Sequence, residues 1–339
     1  MSESLAVKYR PQRFEDVCSQ KSVITILQRQ IETKQFKNCY LFAGSSGVGK
    51  TTLARIFANE INKYIGTPIE IDAASNNGVD SIREIVANAN ERALDAEYKI
   101  FIIDECHTLT NQSWQSFLKC IEEPPKYTIF MFCTTDPQKI PATILNRVQR
   151  FNLTKIPLTD IKSRLLYVCK QEGFVNYTES VDYISKLASG CMREALSLLD
   201  KSRDYSNDLG IENVINALGT FSYDDLFALT NNLIDGDIAN TLTIVENTYN
   251  KGTDLKLFID QYTEFVLDLF KYCLFNDLSV TKFPSLLEKS VKYTTGIENN
   301  VSFYSKFLDK IFNIKNTIKY DTNIKTTIEI LMMDICRGV

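Results

Sequence analysis

A single histidine (His107) and a single tryptophan (Trp114) serve a chain of 339 residues, and its nine cysteines include no CxxC pair. One imidazole nearly excludes histidine-based general-base chemistry. The cysteine pattern supports neither a disulfide framework nor a Cys/His zinc site. No apolar run approaches the roughly 18 residues a membrane helix needs; the stretch from Tyr98 to Ile103 is broken by Lys99. Met1 to Pro11 lacks the basic and apolar regions of a secretory signal. A cytoplasmic protein with no membrane partner is expected. Internal repeats, low-complexity tracts and Pro/Gly/Ser linkers are missing too, and so is a basic tail that could hold nucleic acid unaided. Residues 221–339 carry 12 Lys and Arg against 16 Asp and Glu, which accounts for the whole net charge of -4. The first 220 residues are neutral.

What is present is an ordinary globular mix, 44% hydrophobic and 24% charged. At roughly 150 residues per domain the length gives about two domains, and short helical domains admit three. From Tyr40 to about Leu153, apolar runs alternate with amphipathic stretches. Tyr40–Phe42, Ile69–Ile71, Ile100–Ile103 and Ile129–Cys133 read as buried strands, the βα rhythm of a parallel sheet. After Pro157 the spacing is helical over 159–172 and 178–205, punctuated by Gly173 and Gly190. From about Ser222, three-and-four spacing (Leu255, Phe258, Ile259, Tyr262, then Tyr304, Phe307, Leu308, Ile311) predicts a helical C-terminal domain.

The strand at Tyr40–Phe42 is followed by Gly44-Ser45-Ser46-Gly47-Val48-Gly49-Lys50-Thr51-Thr52 and then by a helical pattern. This is GxxxxGK[ST] in its required strand-to-helix setting. Glycines let backbone N–H groups face phosphate oxygens at a helix N-terminus. Lys50 is expected to reach the β and γ phosphates of ATP, and the Thr51 hydroxyl to ligate Mg²⁺. A second apolar strand ends in Asp104 and Glu105. The first acid suits Mg²⁺, and the second suits orienting and deprotonating an attacking water.

Further motifs surround this pair: Lys8-Tyr9-Arg10-Pro11 before it, Asp104-Glu105-Cys106-His107 within it, and Glu122-Glu123-Pro124-Pro125 after it. Ile71 to Asp80, Thr134-Thr135-Asp136-Pro137-Gln138-Lys139 and Gly190 to Ser197 extend the set. With these the chain resembles the bacterial clamp-loader ATPases of the AAA+ class, the gamma/tau subunits of DNA polymerase III. The resemblance is dense from residue 5 to about 205 and fades in the C-terminal third. It implies that Thr135 is sensor 1, with a turn-capping hydroxyl as the alternative, and that Arg193 is sensor 2, with a solvated helical charge as the alternative. It also implies that Tyr9, Arg10 and Pro11 close over the adenine. The family's Ser-Arg-Cys motif stands here as Asn146-Arg147-Val148, so Arg147 is the expected arginine finger acting on a neighbouring subunit's ATP, with Arg150 as competitor. By the same resemblance Arg83 is a candidate for DNA contact. His107 and Trp114 are read as packing residues, with Glu105 the better-placed base.

The implied fold is an α/β P-loop AAA+ domain, a parallel sheet with helices on both faces (1–157), then a small helical lid (158–218) and an all-α collar (219–339). The implied partners are further copies of the chain, a companion subunit, a sliding clamp and primer-template DNA, with the replicative polymerase as a further candidate. Two departures qualify the likeness. The family's cysteine-rich zinc module is replaced by the cysteine-free stretch 59–68, so no zinc is expected, and a chain of 339 residues is expected to lack the long polymerase- and helicase-binding extension of tau. A compact, zinc-free form of this kind points to a virus- or mobile-element-encoded loader. Cys18-Ser19 also replaces the usual Val-Gly before Gln20, which raises the question of the backbone there. The competing readings are another AAA+ DNA motor, such as a Holliday-junction helicase or initiator-type loader, and a stator that does not hydrolyse ATP. The Glu-Glu-Pro-Pro and Thr-Thr-Asp-Pro-Gln-Lys segments oppose the first, and intact Lys50, Thr51, Asp104 and Glu105 oppose the second.

Overall fold

The computed structural model describes residues 3–93, 95–218, 223–250, 254–284, 287–296, 300–318 and 323–338. The chain divides into two compact units, Met1–Gly173 with Ala188–Asp200, and Phe174–Leu187 with Lys201–Val339. These divisions do not fall at 157 and 218. The helix Leu158–Glu172 groups with the first unit, and residues 219–222, at the start of the expected collar, lie outside the described residues.

In the first unit, five strands form one all-parallel sheet in the order β2-β3-β4-β1-β5: β1 (Cys39–Ala43), β2 (Ile69–Asp72), β3 (Lys99–Asp104), β4 (Thr128–Thr134) and β5 (Gln149–Asn152). The three central strands are nearly continuous apolar runs because both of their faces are covered. The two-residue period of a strand sends Tyr40, Phe42, Ile102 and Met131 to one face, where Leu27, Leu53 and Phe57 of the helices Lys21–Thr33 and Lys50–Ile61 meet them. Leu41, Phe101, Phe130 and Phe132 go to the other face, against Ile82, Trp114 and Phe117 of the helices Val79–Ala89 and Asn111–Glu122. Trp114 is a core residue, 2% exposed and 5.4 Å from the Phe132 ring.

Two strands depart from expectation. β2 is not buried: it is an outer strand that, among the described residues, pairs with β3 alone, its polar and apolar residues alternate, and Ile69 is 38% exposed. β5 carries no apolar run and was not expected. As the other outer strand it needs only Phe151 to face the core, where that ring stacks 5.5 Å from Phe42.

The backbone before Gln20 is left-handed at two successive non-glycine residues, with φ of 57° at Ser19 and 58° at Gln20. Gln20 compensates across the fold. Its amide donates to the Thr154 carbonyl at 2.7 Å and accepts from the Thr154 N–H at 3.2 Å. Ser19 gains no such contact, since its hydroxyl oxygen is buried and finds no hydrogen-bond partner among the described residues. A left-handed residue with a Cβ costs about 1–2 kcal/mol, so Ser19→Gly should stabilise the first unit by about 1 kcal/mol. A thermal melt with an unchanged or lowered midpoint would contradict this.

The cysteine-free stretch 59–68 takes in the last three residues of the helix Lys50–Ile61 and the turn that follows it. Asn62 closes it, donating its side-chain amide to the Tyr98 carbonyl at 2.8 Å and accepting the Tyr98 N–H at 3.0 Å.

The second unit is helical. The spacing noted at 255–262 and 304–311 falls in the helices Leu255–Phe275 and Asn300–Ile318. Their inward rings build an aromatic core in which Phe258 stacks on Tyr262 at 5.9 Å, and Tyr262 meets the edge of Phe307 at 5.3 Å. The buried Tyr262 hydroxyl is matched by Thr230 Oγ1 at 2.8 Å. Among the described residues no helix is long and apolar enough to cross a membrane.

Candidate functional site

The loops after β1, β3 and β4 leave the same, carboxyl edge of the sheet, which is where open parallel sheets hold ligands. A cavity of about 710 Å³ lies among residues of the first unit, lined by Ser46 to Thr52, by Asp104 and Glu105, by Glu70 to Asp72 of β2, and by residues that include Tyr9 to Pro11, Arg164 and Arg193, taken up below. Its size suits a nucleotide-sized ligand.

The loop after β1 has φ of 66° at Gly47 and 103° at Gly49, a backbone that side chains rarely allow. A Cβ on Gly47 would also sit 2.2 Å from Cys191 Sγ. That closeness belongs to a docking contact, since the Met192 N–H donates to the Gly47 carbonyl at 3.1 Å and so ties the loop to the start of the helix Met192–Tyr205. Lys50 heads the helix Lys50–Ile61. Its ammonium donates to the Gly44 and Ser45 carbonyls at 3.0 and 2.9 Å, which are therefore its supports, while Ser46 to Thr52 line the cavity. Burial pushes the Lys50 pKa down, and the nearby charge of Glu105 and Asp104 opposes the shift.

Thr51 Oγ1 donates to Asp104 Oδ2 at 2.7 Å. A hydroxyl and a carboxylate from two elements thus present oxygen donors together, a pairing that suits a hard divalent cation which keeps part of its water shell. Glu105 follows in a left-handed conformation, φ 46°, with its N–H donating to Asp104 Oδ1 at 2.9 Å. The turn aims its carboxylate at the end of β4, where Thr135 Oγ1 donates to Glu105 Oε2 at 3.1 Å. The turn-capping alternative for Thr135 belongs to its neighbour instead: Thr134 Oγ1 accepts the Asp136 N–H at 3.0 Å. His107 does more than pack. Its Nδ1 lies 3.2 Å from Thr134 Oγ1 and 3.3 Å from Glu105 Oε2.

Arg193 is exposed and lines the cavity from the first turn of its helix. Tyr9, Arg10 and Pro11 line it as well, with Arg164 beside them. Burial and a hydrogen bond to Glu172 push the Tyr9 hydroxyl to a pKa of about 12, so it remains a donor at ordinary pH. Arg147 is not among the lining residues. Its guanidinium lies 2.7 Å from Glu122 Oε1 and donates to the Thr143 carbonyl at 2.6 Å. Arg150, on β5, bonds Asn152 Oδ1 at 2.7 Å. Arg83 also lies apart, largely exposed and paired with Asp80 at 3.2 Å. Arg164 and Glu172 were missed because a helical charge whose partner is more than 150 residues away leaves no local pattern. Glu122 was visible only as part of Glu-Glu-Pro-Pro.

Comparison with known proteins gives consistent results. The family "DNA polymerase III, delta subunit" matches residues 63–157, and "DNA polymerase III subunits gamma and tau domain III" matches residues 209–302. The DNA polymerase III subunit tau of Bacillus subtilis is 32% identical over 97% of this chain and 62% of its own length. The gamma/tau subunit of Mycoplasma genitalium is 33% identical over 80% of this chain and 50% of its own. The chain thus spans about half to two thirds of these relatives, whereas it covers 75% of the 32% identical gamma subunit of Buchnera aphidicola subsp. Schizaphis graminum. Among solved structures, the RuvB Holliday junction branch migration motor of Thermotoga maritima aligns over 73% of this chain and 86% of that one, with TM-score 0.53 and 19% identity. That likeness shows a shared α/β fold and nothing of function.

Proposed function

The chain belongs to the DNA polymerase III gamma/tau family, and on that premise we propose that it is an ATP-driven clamp-loader subunit. In this reading it binds and hydrolyses ATP, together with further copies of itself and a companion subunit, to open a sliding clamp and place it around primer-template DNA in the cytoplasm. The observation that carries the proposal is the convergence of Lys50, Thr51, Asp104, Glu105 and Thr135 at the carboxyl edge of the sheet beside a nucleotide-sized cavity. The relatives' names supply the setting. The fold likeness to a branch-migration motor carries no function at 19% identity.

The roles follow from chemistry. The Gly44–Thr52 loop and Lys50 hold the phosphates. Thr51 and Asp104 hold Mg²⁺, which when bound neutralises phosphate charge. Glu105 takes the proton of the attacking water, and Thr135 fixes the carboxylate that does so. Arg193 reads the nucleotide from within the same subunit, and Arg147 reads it from the next. Arg83 is retained as a phosphate contact to DNA. A neutral nucleotide-binding half is compatible with DNA work if several copies pool modest charge in one assembly. The lid and collar division at 157 and 218 is kept as a functional partition of the chain.

The deciding experiment measures ATPase rate in the assembled complex with and without cognate clamp and primed DNA. Stimulation by both together is expected, and a rate indifferent to them would reject the clamp-loading reading. We also place no structural zinc in this chain, since the stretch 59–68 has no cysteine and its turn closes through the Asn62 amide. Elemental analysis should find far less than one zinc per chain, and chelator should leave the melting profile unmoved. A stoichiometric metal would overturn this assignment.

A further inference from the structure

Glu172 Oε1 accepts the Tyr9 hydroxyl at 2.5 Å, and the Lys8 ammonium lies 2.6 Å from the same oxygen. Glu172 is the last residue of the helix Leu158–Glu172, and its side chain is only 14% exposed. The same helix supplies two more contacts to this segment. Arg164 Nη2 donates to the Tyr9 carbonyl at 2.8 Å, and the Tyr167 ring meets the Tyr9 ring edge-on at 6.3 Å. Tyr9, Arg10, Pro11 and Arg164 line the cavity, but Glu172 does not.

Two consecutive residues that share one sheltered carboxylate can turn neither independently nor freely. Their backbone is therefore set, and with it the direction in which Arg10 and Pro11 enter the cavity. The phosphate end of that cavity is occupied by the glycine loop. Its remaining lining includes Val7, Pro11, Val17, Ile156 and Leu196, apolar surface that suits the flat face of a heterocyclic base.

We propose that Glu172 is a positioning residue for the base of the bound nucleotide, holding the Tyr9–Pro11 segment against that base without touching the nucleotide. The inference rests on the nucleotide reading above and adds a residue that acts only through its neighbours. A charge-assisted hydrogen bond is about twice as strong as a neutral one, so its loss is felt in affinity, and it is felt only by a ligand that has a base.

The test is calorimetric binding of ATP and of inorganic tripolyphosphate, both with Mg²⁺, to the full chain and its Glu172→Ala variant. ATP should bind about tenfold more weakly to the variant, and tripolyphosphate within about twofold of wild type. In the assembled complex KM for ATP should rise with kcat within about twofold, a split that general loosening of the fold would not produce. Tyr9→Phe, which removes only the hydroxyl, should weaken ATP but not tripolyphosphate, and adding Glu172→Ala to it should give less than the product of the single effects. If Glu172→Ala fails to fold, Tyr9→Phe carries the same comparison. Equal weakening of both ligands, or unchanged ATP affinity in either variant, would overturn the proposal. Wild-type chain that binds neither ligand would instead remove the nucleotide reading beneath it.

Discussion

Glu105→Gln is expected to leave ATP binding near wild type and to lower the single-turnover hydrolysis rate by about 10²–10⁴-fold, the span of general-base catalysis. The substitution keeps the size of the side chain and an oxygen that Thr135 Oγ1 can still reach, 3.1 Å away in the native chain. It removes the capacity to take a proton, together with the carboxylate charge that faces Lys50. Because that capacity is used in the transition state and not in the ground state, the loss falls on kcat and not on nucleotide affinity. The position itself favours a functional reading. Glu105 adopts φ 46°, and a left-handed non-glycine residue at the end of a parallel strand is a conformation the surrounding structure has to hold in place. Equal hydrolysis rates for wild type and Glu105→Gln, measured with ATP bound in both, would remove Glu105 from this role. Thr135 would then be left with a hydrogen bond of structural value only.

Arg147→Ala should bind nucleotide almost normally yet lose clamp- and DNA-stimulated hydrolysis by a factor of roughly 10² or more, within the arginine-finger range. Within one chain Arg147 lines no part of the nucleotide cavity. It rests instead against Glu122 Oε1 at 2.7 Å and the Thr143 carbonyl. Both partners of that ion pair are more than a third exposed, and such pairs are worth about 0–1 kcal/mol. Exchange of Glu122 for a phosphate oxygen of an adjacent subunit is therefore cheap. Mixing sharpens the test. When Lys50→Ala and Arg147→Ala chains are combined with companion subunits, some interfaces place an intact phosphate loop beside an intact Arg147, and partial activity should return. No recovery at any ratio, with assembly verified, would assign Arg147 to its own chain or to the fold alone. Full activity of Arg147→Ala would move attention to Arg150, which β5 and its bond to Asn152 hold in another setting.

The glycine loop after β1, the acid pair after β3, the parallel sheet and the helical second half were legible in the sequence because each depends on local pattern. GxxxxGK[ST] is read in one run between a strand and a helix, a strand covered on both faces is apolar nearly throughout, and a core helix repeats at three and four. The outer strands were harder for the same reason. β2 has an apolar half but, among the described residues, only one neighbouring strand, so it is exposed where burial was expected, and β5 needs no apolar run beyond Phe151. Tertiary structure alone decided the polar contacts between distant segments. Gln20 secures a left-handed turn through Thr154, 134 residues on, and Glu172 holds Tyr9 across 163. A hydrogen bond needs one donor and one acceptor at about 3 Å and imposes no spacing on the residues between them. Such partners leave no periodicity in the chain and exist only once the sheet and its helices have brought them together.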